Sequence, residues 1–124
     1  MKAKEFMSFK NWVVVGDVLN KEKYAYKILN SLKTAQYNVA GVNPKGGNDI
    51  YSSLKDVPFN TEVVDLCINS IKGLEILKEA KSLNINNILV QPGAGSEDIF
   101  KYGEENNMNL IDGCALVELK NLGK

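Results

Sequence analysis

The stretch WVVVGDVLNKEKYAYKILNSLKTAQ, residues 12–36, decides the fold. Trp12, Val13, Val14 and Val15 follow one another with no polar residue between them, and the run stops at Gly16. An unbroken apolar run of this kind, closed by glycine, reads as a strand buried on both faces, as in a parallel sheet. The period then changes. Ala25, Ile28, Leu29, Leu32 and Ala35 recur at helical spacing, which predicts a helix over residues 21–36 with Asn20 as its N-cap.

The same alternation continues along the chain. Residues 38–42 read as a second strand, stopped by Asn43-Pro44, and a Gly- and Asn-rich loop at 45–49 leads to a short helical turn over 51–54. Residues 63–68 make a third strand, after which Ser70 caps a helix running to about Leu83. Ile88-Leu89-Val90 is a fourth strand, broken by Pro92-Gly93-Ala94-Gly95. Ser96 then caps a helix with Glu97 and Asp98 in its first turn, where the macrodipole favours acids. Leu110-Ile111 is a short fifth strand, and residues 115–122 supply a final helical turn or two. Short buried strands alternating with helices define an α/β fold, a single doubly wound Rossmann-like domain over residues 1–124 with helices on both faces of a five-stranded parallel sheet.

Right-handed crossovers leave two common strand orders, Rossmann-like 3-2-1-4-5 and flavodoxin-like 2-1-3-4-5. In both, ligands bind beyond the carboxyl ends of the strands, where the order reverses. In the first order that crevice lies between the ends of the first and fourth strands, whose loops carry Gly16 and Pro92-Gly93-Ala94-Gly95-Ser96. The loops richest in small residues then converge on one crevice.

Composition narrows the chemistry. The 124 residues include no histidine, and all 15 basic residues are lysines, balanced by 15 acids to a net charge of zero. A Ser-His-Asp or Cys-His nucleophile is excluded, as are an imidazole metal site and the bidentate guanidinium clamp for phosphate or guanine. Zero net charge argues against a nucleic-acid binder. No apolar run approaches the roughly 18 residues that span a membrane, the N-terminus MKAKEFMSFK has no signal-peptide block, and Cys67 and Cys114 lack metal-site spacing. A cytoplasmic protein with reduced thiols is the expectation. An anion bound here must be held by lysines and backbone N–H groups.

Glycine after the first strand lets the backbone approach a phosphate at the following helix N-terminus. A dinucleotide site needs more. Of the G-x-G-x-x-G pattern, Gly16-Asp17-Val18-Leu19-Asn20-Lys21 retains the first glycine alone, and Asn43-Pro44 stands where an acid would hold a ribose. NAD(P) is disfavoured on both counts. Lys23 falls in the first turn of the first helix, where a cation opposes the dipole unless an anion is near. Lys45, beyond the second strand, flanks the same region.

These residues resemble the small CoA-binding-domain proteins, related to the CoA-binding domain of the succinyl-CoA synthetase alpha subunit. Gly16, Asn20, Lys23 and Tyr26 fit the family's first βα unit in register. Val42-Asn43-Pro44-Lys45 is similar to its Val-Asn-Pro segment, and Tyr51, Ser53-Leu54 and Val57-Pro58 fit the family's next segment. Gln91 and Gly93 match a Gln-x-Gly after the fourth strand, and Asp112, Cys114 and Glu118 match an Asp-Arg-Cys segment in which Gly113 replaces arginine. The likeness covers residues 9–118. It implies the 3-2-1-4-5 order, with the CoA pyrophosphate over the first glycine loop and the adenosine near the second and third strands. Departures occur at Val18 and Ala25, where the family has serines, and at Asn69-Ser70-Ile71-Lys72, which replaces an Arg-Pro type stretch.

The related ligase subunit works through a phosphorylated histidine, which this chain lacks. Asp17 suits a turn or helix-start acid, and Asp65 falls inside the third strand rather than at its end. A response-regulator receiver needs a phosphoacceptor Asp at that end, where Cys67-Ile68-Asn69 stands instead. In the 3-2-1-4-5 order Cys67 and Cys114 lie at opposite sheet edges, about 20 Å apart, beyond disulfide reach. The sequence therefore predicts non-catalytic binding of coenzyme A or an acyl-CoA. The alternative is a degenerate nucleotide-binding domain or an enzyme subunit acting with a protein partner or a second copy. The expected contacts are Gly16, Asp17, Val18, Asn20, Lys23, Tyr26, Asn43, Pro44, Lys45, Asn69, Gln91 and Gly93.

Overall fold

In the computed structural model, which describes residues 2–124, the apolar run around Val14 is an interior strand of a parallel sheet. This strand, β1 (Asn11–Gly16), pairs with β2 (Asn38–Val42) on one side and β3 (Val63–Cys67) on the other. β4 (Asn87–Val90) joins β3, and β5 (Asn109–Asp112) closes the far edge. Side chains alternate between two apolar layers. Val13, Val15, Val64, Leu66, Ile88 and Val90 face α3 (Ser70–Ser82) and α4 (Glu97–Glu105). Trp12, Val14, Val63 and Leu89 face α1 (Ala3–Phe6), α2 (Tyr24–Thr34) and α5 (Ala115–Asn121). No helix among the described residues is long and apolar enough to cross a membrane.

The doubly wound, Rossmann-like α/β class expected from the alternation is the class observed. The five strands hydrogen-bond in the order β2-β1-β3-β4-β5. Beyond β2 the chain adds one parallel bridge, Val42 to Tyr51. Counted as a strand, that bridge becomes the third in sequence, and the sheet reads 3-2-1-4-5-6, the Rossmann winding. What changes is the place of the segment at 63–67. It lies beside β1 rather than at an edge, because the third place is taken by the bridge at Tyr51, where the sequence predicts a helical turn. The short 3₁₀ turn comes later, at Leu54–Asp56.

Helix ends differ from the sequence reading for local reasons. α2 starts at Tyr24, not at residue 21, because Asn20 first closes a turn: its Oδ1 accepts from Glu22 N–H at 3.0 Å and its carbonyl from Lys23 N–H at 3.0 Å. α2 stops at Thr34, and Gln36 takes the left-handed conformation (φ 69°) that lets Tyr37 N–H reach back to Leu32 O. Asn69, rather than Ser70, caps α3 by accepting from Lys72 N–H, while Ser96 caps α4 through Ile99 N–H as expected. The N-terminal α1 carries no sequence signal. It is held by the buried Phe6 and by Tyr37, whose hydroxyl donates to Met7 O at 2.7 Å.

Candidate functional site

The strand order reverses between β1 and β3, since β1 leads to β2 on one side and β3 leads to β4 on the other. The helices after these two strands, α2 and α3, leave on opposite faces, and their first turns part around a crevice at the carboxyl ends. A cavity of about 880 Å³ opens there. The expected crevice between β1 and the strand at 88–90 is corrected accordingly. β3 intervenes, and the loop after β4 forms the cavity's outer wall.

Seven of the twelve expected residues line this cavity: Asp17, Lys23, Asn43, Lys45, Asn69, Gln91 and Gly93. The other five lie outside its lining, each for a physical reason. Gly16 is buried where β1 meets β3; with φ 155°, a Cβ on it would lie 2.5 Å from Cys67 O, so the sheet itself requires glycine there. Val18 is buried in the apolar layer under α2, taking the place of a polar contact with a core contact. Asn20 is committed to the turn before α2. Pro44 sits on an exposed turn, and Tyr26 is half-buried one helical step away from the lining residues Tyr24 and Ala25.

Asn43 braces the site. Its Nδ2 donates to Gly16 O at 2.8 Å and its Oδ1 accepts from Lys45 N–H at 2.9 Å, which locks the loops after β1 and β2 together. Lys23, at the N-cap of α2, offers no side-chain cap, so the first N–H groups of that helix face outward without an intrahelical partner. Lys72, in the first turn of α3, adds a third lysine to the lining beside Lys23 and Lys45. The dipole argument applied to Lys23 finds Lys72 equally well, once the start of α3 is placed.

Across the floor, Gln91 is buried, and its Oε1 accepts from Ala115 N–H at 3.0 Å. That bond fixes the orientation of the amide and leaves Nε2 as a donor with no partner among the described residues. Below the floor lies Asp65. It is fully buried; Oδ1 accepts from Cys67 Sγ at 3.2 Å and Oδ2 has no partner among the described residues. Burial pushes its carboxyl up to about 7, opposed in part by the Cys67 hydrogen bond. Burial, and then the neighbouring Asp65 charge, push the Cys67 thiol far upward, so Cys67 stays a thiol rather than a nucleophile.

The placement of the cysteines also needs correction. Cys67 and Cys114 are not at opposite edges but line the same cavity. Cys67 ends β3, whereas Cys114 lies past the end of β5 at the N-cap of α5, so the chain brings it back toward the cavity and the strand spacing does not hold the two apart. Both are free thiols, half-buried.

The winding and the cavity define a class, a Rossmann-like domain with a ligand-sized crevice at its switch point. Residues 10–120 match the model of a family described as CoA binding domain, and the chain belongs to that family. It is similar to a conserved hypothetical protein from Pyrococcus furiosus, with 30% identity and a TM-score of 0.82 over 89% of this chain and 99% of that one. A hypothetical protein from Pyrococcus horikoshii OT3 has 24% identity and a TM-score of 0.87 over 98% of this chain and 89% of that one. A dinucleotide-forming acetyl-coenzyme A synthetase 1 from Ca. Korarchaeum cryptofilum, in complex with phosphate and ADP, shares the fold. Its identity is 19% and its TM-score 0.71, over 89% of this chain and 27% of that one.

Proposed function

We propose that this protein binds coenzyme A or an acyl-CoA in the switch-point cavity and catalyses no reaction by itself. The observation that carries the reading is the meeting of Lys23, Lys45 and Lys72 with the uncapped N-terminus of α2 at one end of a cavity of about 880 Å³, in a chain of the CoA binding domain family. A phosphate needs such a combination of orphan N–H groups, positive dipole and cation. In this reading the pyrophosphate lies over the first turn of α2, held by backbone N–H groups after Gly16 and by Lys23 and Lys45. The adenosine sits on the Asn43-Pro44 side, and the pantetheine arm crosses the floor past Gln91 and Gly93. Asn43 acts as a brace, because one donor and one acceptor of its side chain tie the loops after β1 and β2 together.

The absence of histidine removes the phosphoryl carrier used by the related ligase subunit. Asp65 lies beneath the floor and Cys67 is held as a thiol, which leaves neither suited to nucleophilic work. One observation favours a second reading, a component acting with a partner chain: in the archaeal synthetase this fold is 27% of a longer chain.

Thermal unfolding with CoA, ATP, NAD and FMN tests the proposal. A ligand at 100 times its Kd adds about 2.7 kcal/mol of stability. CoA is expected to shift the transition, and Lys23→Ala to lose affinity for CoA while the shift becomes less sensitive to salt. A shift with NAD or FMN and none with CoA refutes the reading. No shift with any of the four overturns it as well and favours the partner-dependent reading.

A further inference from the structure

The cavity is divided chemically. Its lysines stand on the side of β1, β2 and β3, whereas the β4 loop and the start of α5 contribute no charged residue to its lining. There Leu116 and Val117 form an apolar wall. Leu116 is half-buried and Val117 is 52% exposed, so two adjacent apolar side chains of one cavity are left partly in water. Isolated exposed hydrophobics need no explanation, but two on the wall of a single cavity ask for an apolar occupant. Between the halves sits Gln91, buried, with its carbonyl taken by Ala115 and its N–H donors free.

A free thiol satisfies neither feature. It is a weak acceptor for an amide N–H, and it leaves the wall bare. A thioester supplies both a carbonyl oxygen and a chain. We infer that the ligand is an acyl-CoA with an aliphatic acyl group, an inference that rests on the CoA reading above. The phosphates lie at the lysines, Gln91 Nε2 donates to the thioester carbonyl, and the chain lies along Leu116 and Val117.

Calorimetric titration of the full chain with CoA and with hexanoyl-CoA decides this. Each buried methylene contributes roughly fourfold in affinity, so hexanoyl-CoA is expected to bind about tenfold or more tightly than CoA. Val117→Asp, at an exposed position that does not threaten folding, is expected to bring the ratio of the two affinities to about one. Gln91→Glu keeps an oxygen for Ala115 N–H but removes the donor, and is expected to weaken hexanoyl-CoA more than CoA. Equal binding of the two ligands by the unmodified protein overturns the inference and leaves the CoA reading standing. A tenfold preference that survives Val117→Asp overturns the assignment of the wall, and equal losses in Gln91→Glu overturn that of the carbonyl. Failure of both ligands to bind overturns the CoA reading itself.

Discussion

Asp65→Asn removes a buried ionisable group while keeping the shape of its side chain. The carboxyl titrates near 3.8 when unfolded and is pushed up to about 7 in the fold by burial among Val14, Val63 and Leu89. Between those values the native protein holds a proton that the unfolded chain has released. Stability therefore falls as pH rises through the window, by about 1.4 kcal/mol per pH unit. The whole interval, from 3.8 to about 7, corresponds to ~4 kcal/mol, fully lost above pH 7 and fully retained below the unfolded value. Of this, roughly 3 kcal/mol falls between pH 5 and pH 8. Asparagine cannot ionise. Its Nδ2 lacks an acceptor in that layer, which costs about 1–3 kcal/mol, but the same amount at every pH. Urea unfolding of both proteins at pH 5, 6, 7 and 8, at constant ionic strength, separates the two contributions. The stability of Asp65→Asn relative to the parent is expected to rise by about 3 kcal/mol across the series. Two curves that stay parallel would refute the reasoning, since they would mean that Asp65 is paired or hydrated in the fold.

Other perturbations probe the loops and helix ends. Gly16→Ala places a Cβ 2.5 Å from Cys67 O and is expected to cost about 2–4 kcal/mol in urea unfolding, independent of any ligand. Asn43→Ala breaks the bonds to Gly16 O and Lys45 N–H, with an expected loss of about 1–2 kcal/mol and a several-fold weaker affinity for CoA. Gln36→Gly relieves a left-handed residue and is expected to stabilise by about 0.5–1 kcal/mol, read as a higher melting temperature.

The alternation of apolar runs and helical stripes made the fold class legible, because buried parallel strands tolerate few polar residues. The place of the segment at 63–67 was not legible. It depends on a single bridge at Tyr51, made by backbone atoms in a stretch whose side chains show no strand period. The end of α2 was obscured for a related reason: Gln36 occupies a position that usually announces itself as glycine or asparagine. At the site, charge and small residues marked Lys23, Lys45 and Gly93, and the resemblance to the CoA-binding family marked Gln91. Leu116 and Val117 carried no signal, since an apolar residue near a helix start reads as core until the sheet shows what lies above it. Asp65 was visible as an acid inside a strand, but its orphaned oxygen is a property of packing alone.

The bridge between Val42 and Tyr51 has a consequence for association. Tyr51 N–H donates to Gly41 O and Asn43 N–H donates to Tyr51 O, which closes the carboxyl end of the outer edge of β2 to another chain. At the other end of the sheet, β5 is four residues long and, among the described residues, has no strand beyond it. A strand added from a second molecule finds an unbridged template at β5, where the terminal Asn109 and Asp112 are exposed and the brevity of the edge limits continued stacking.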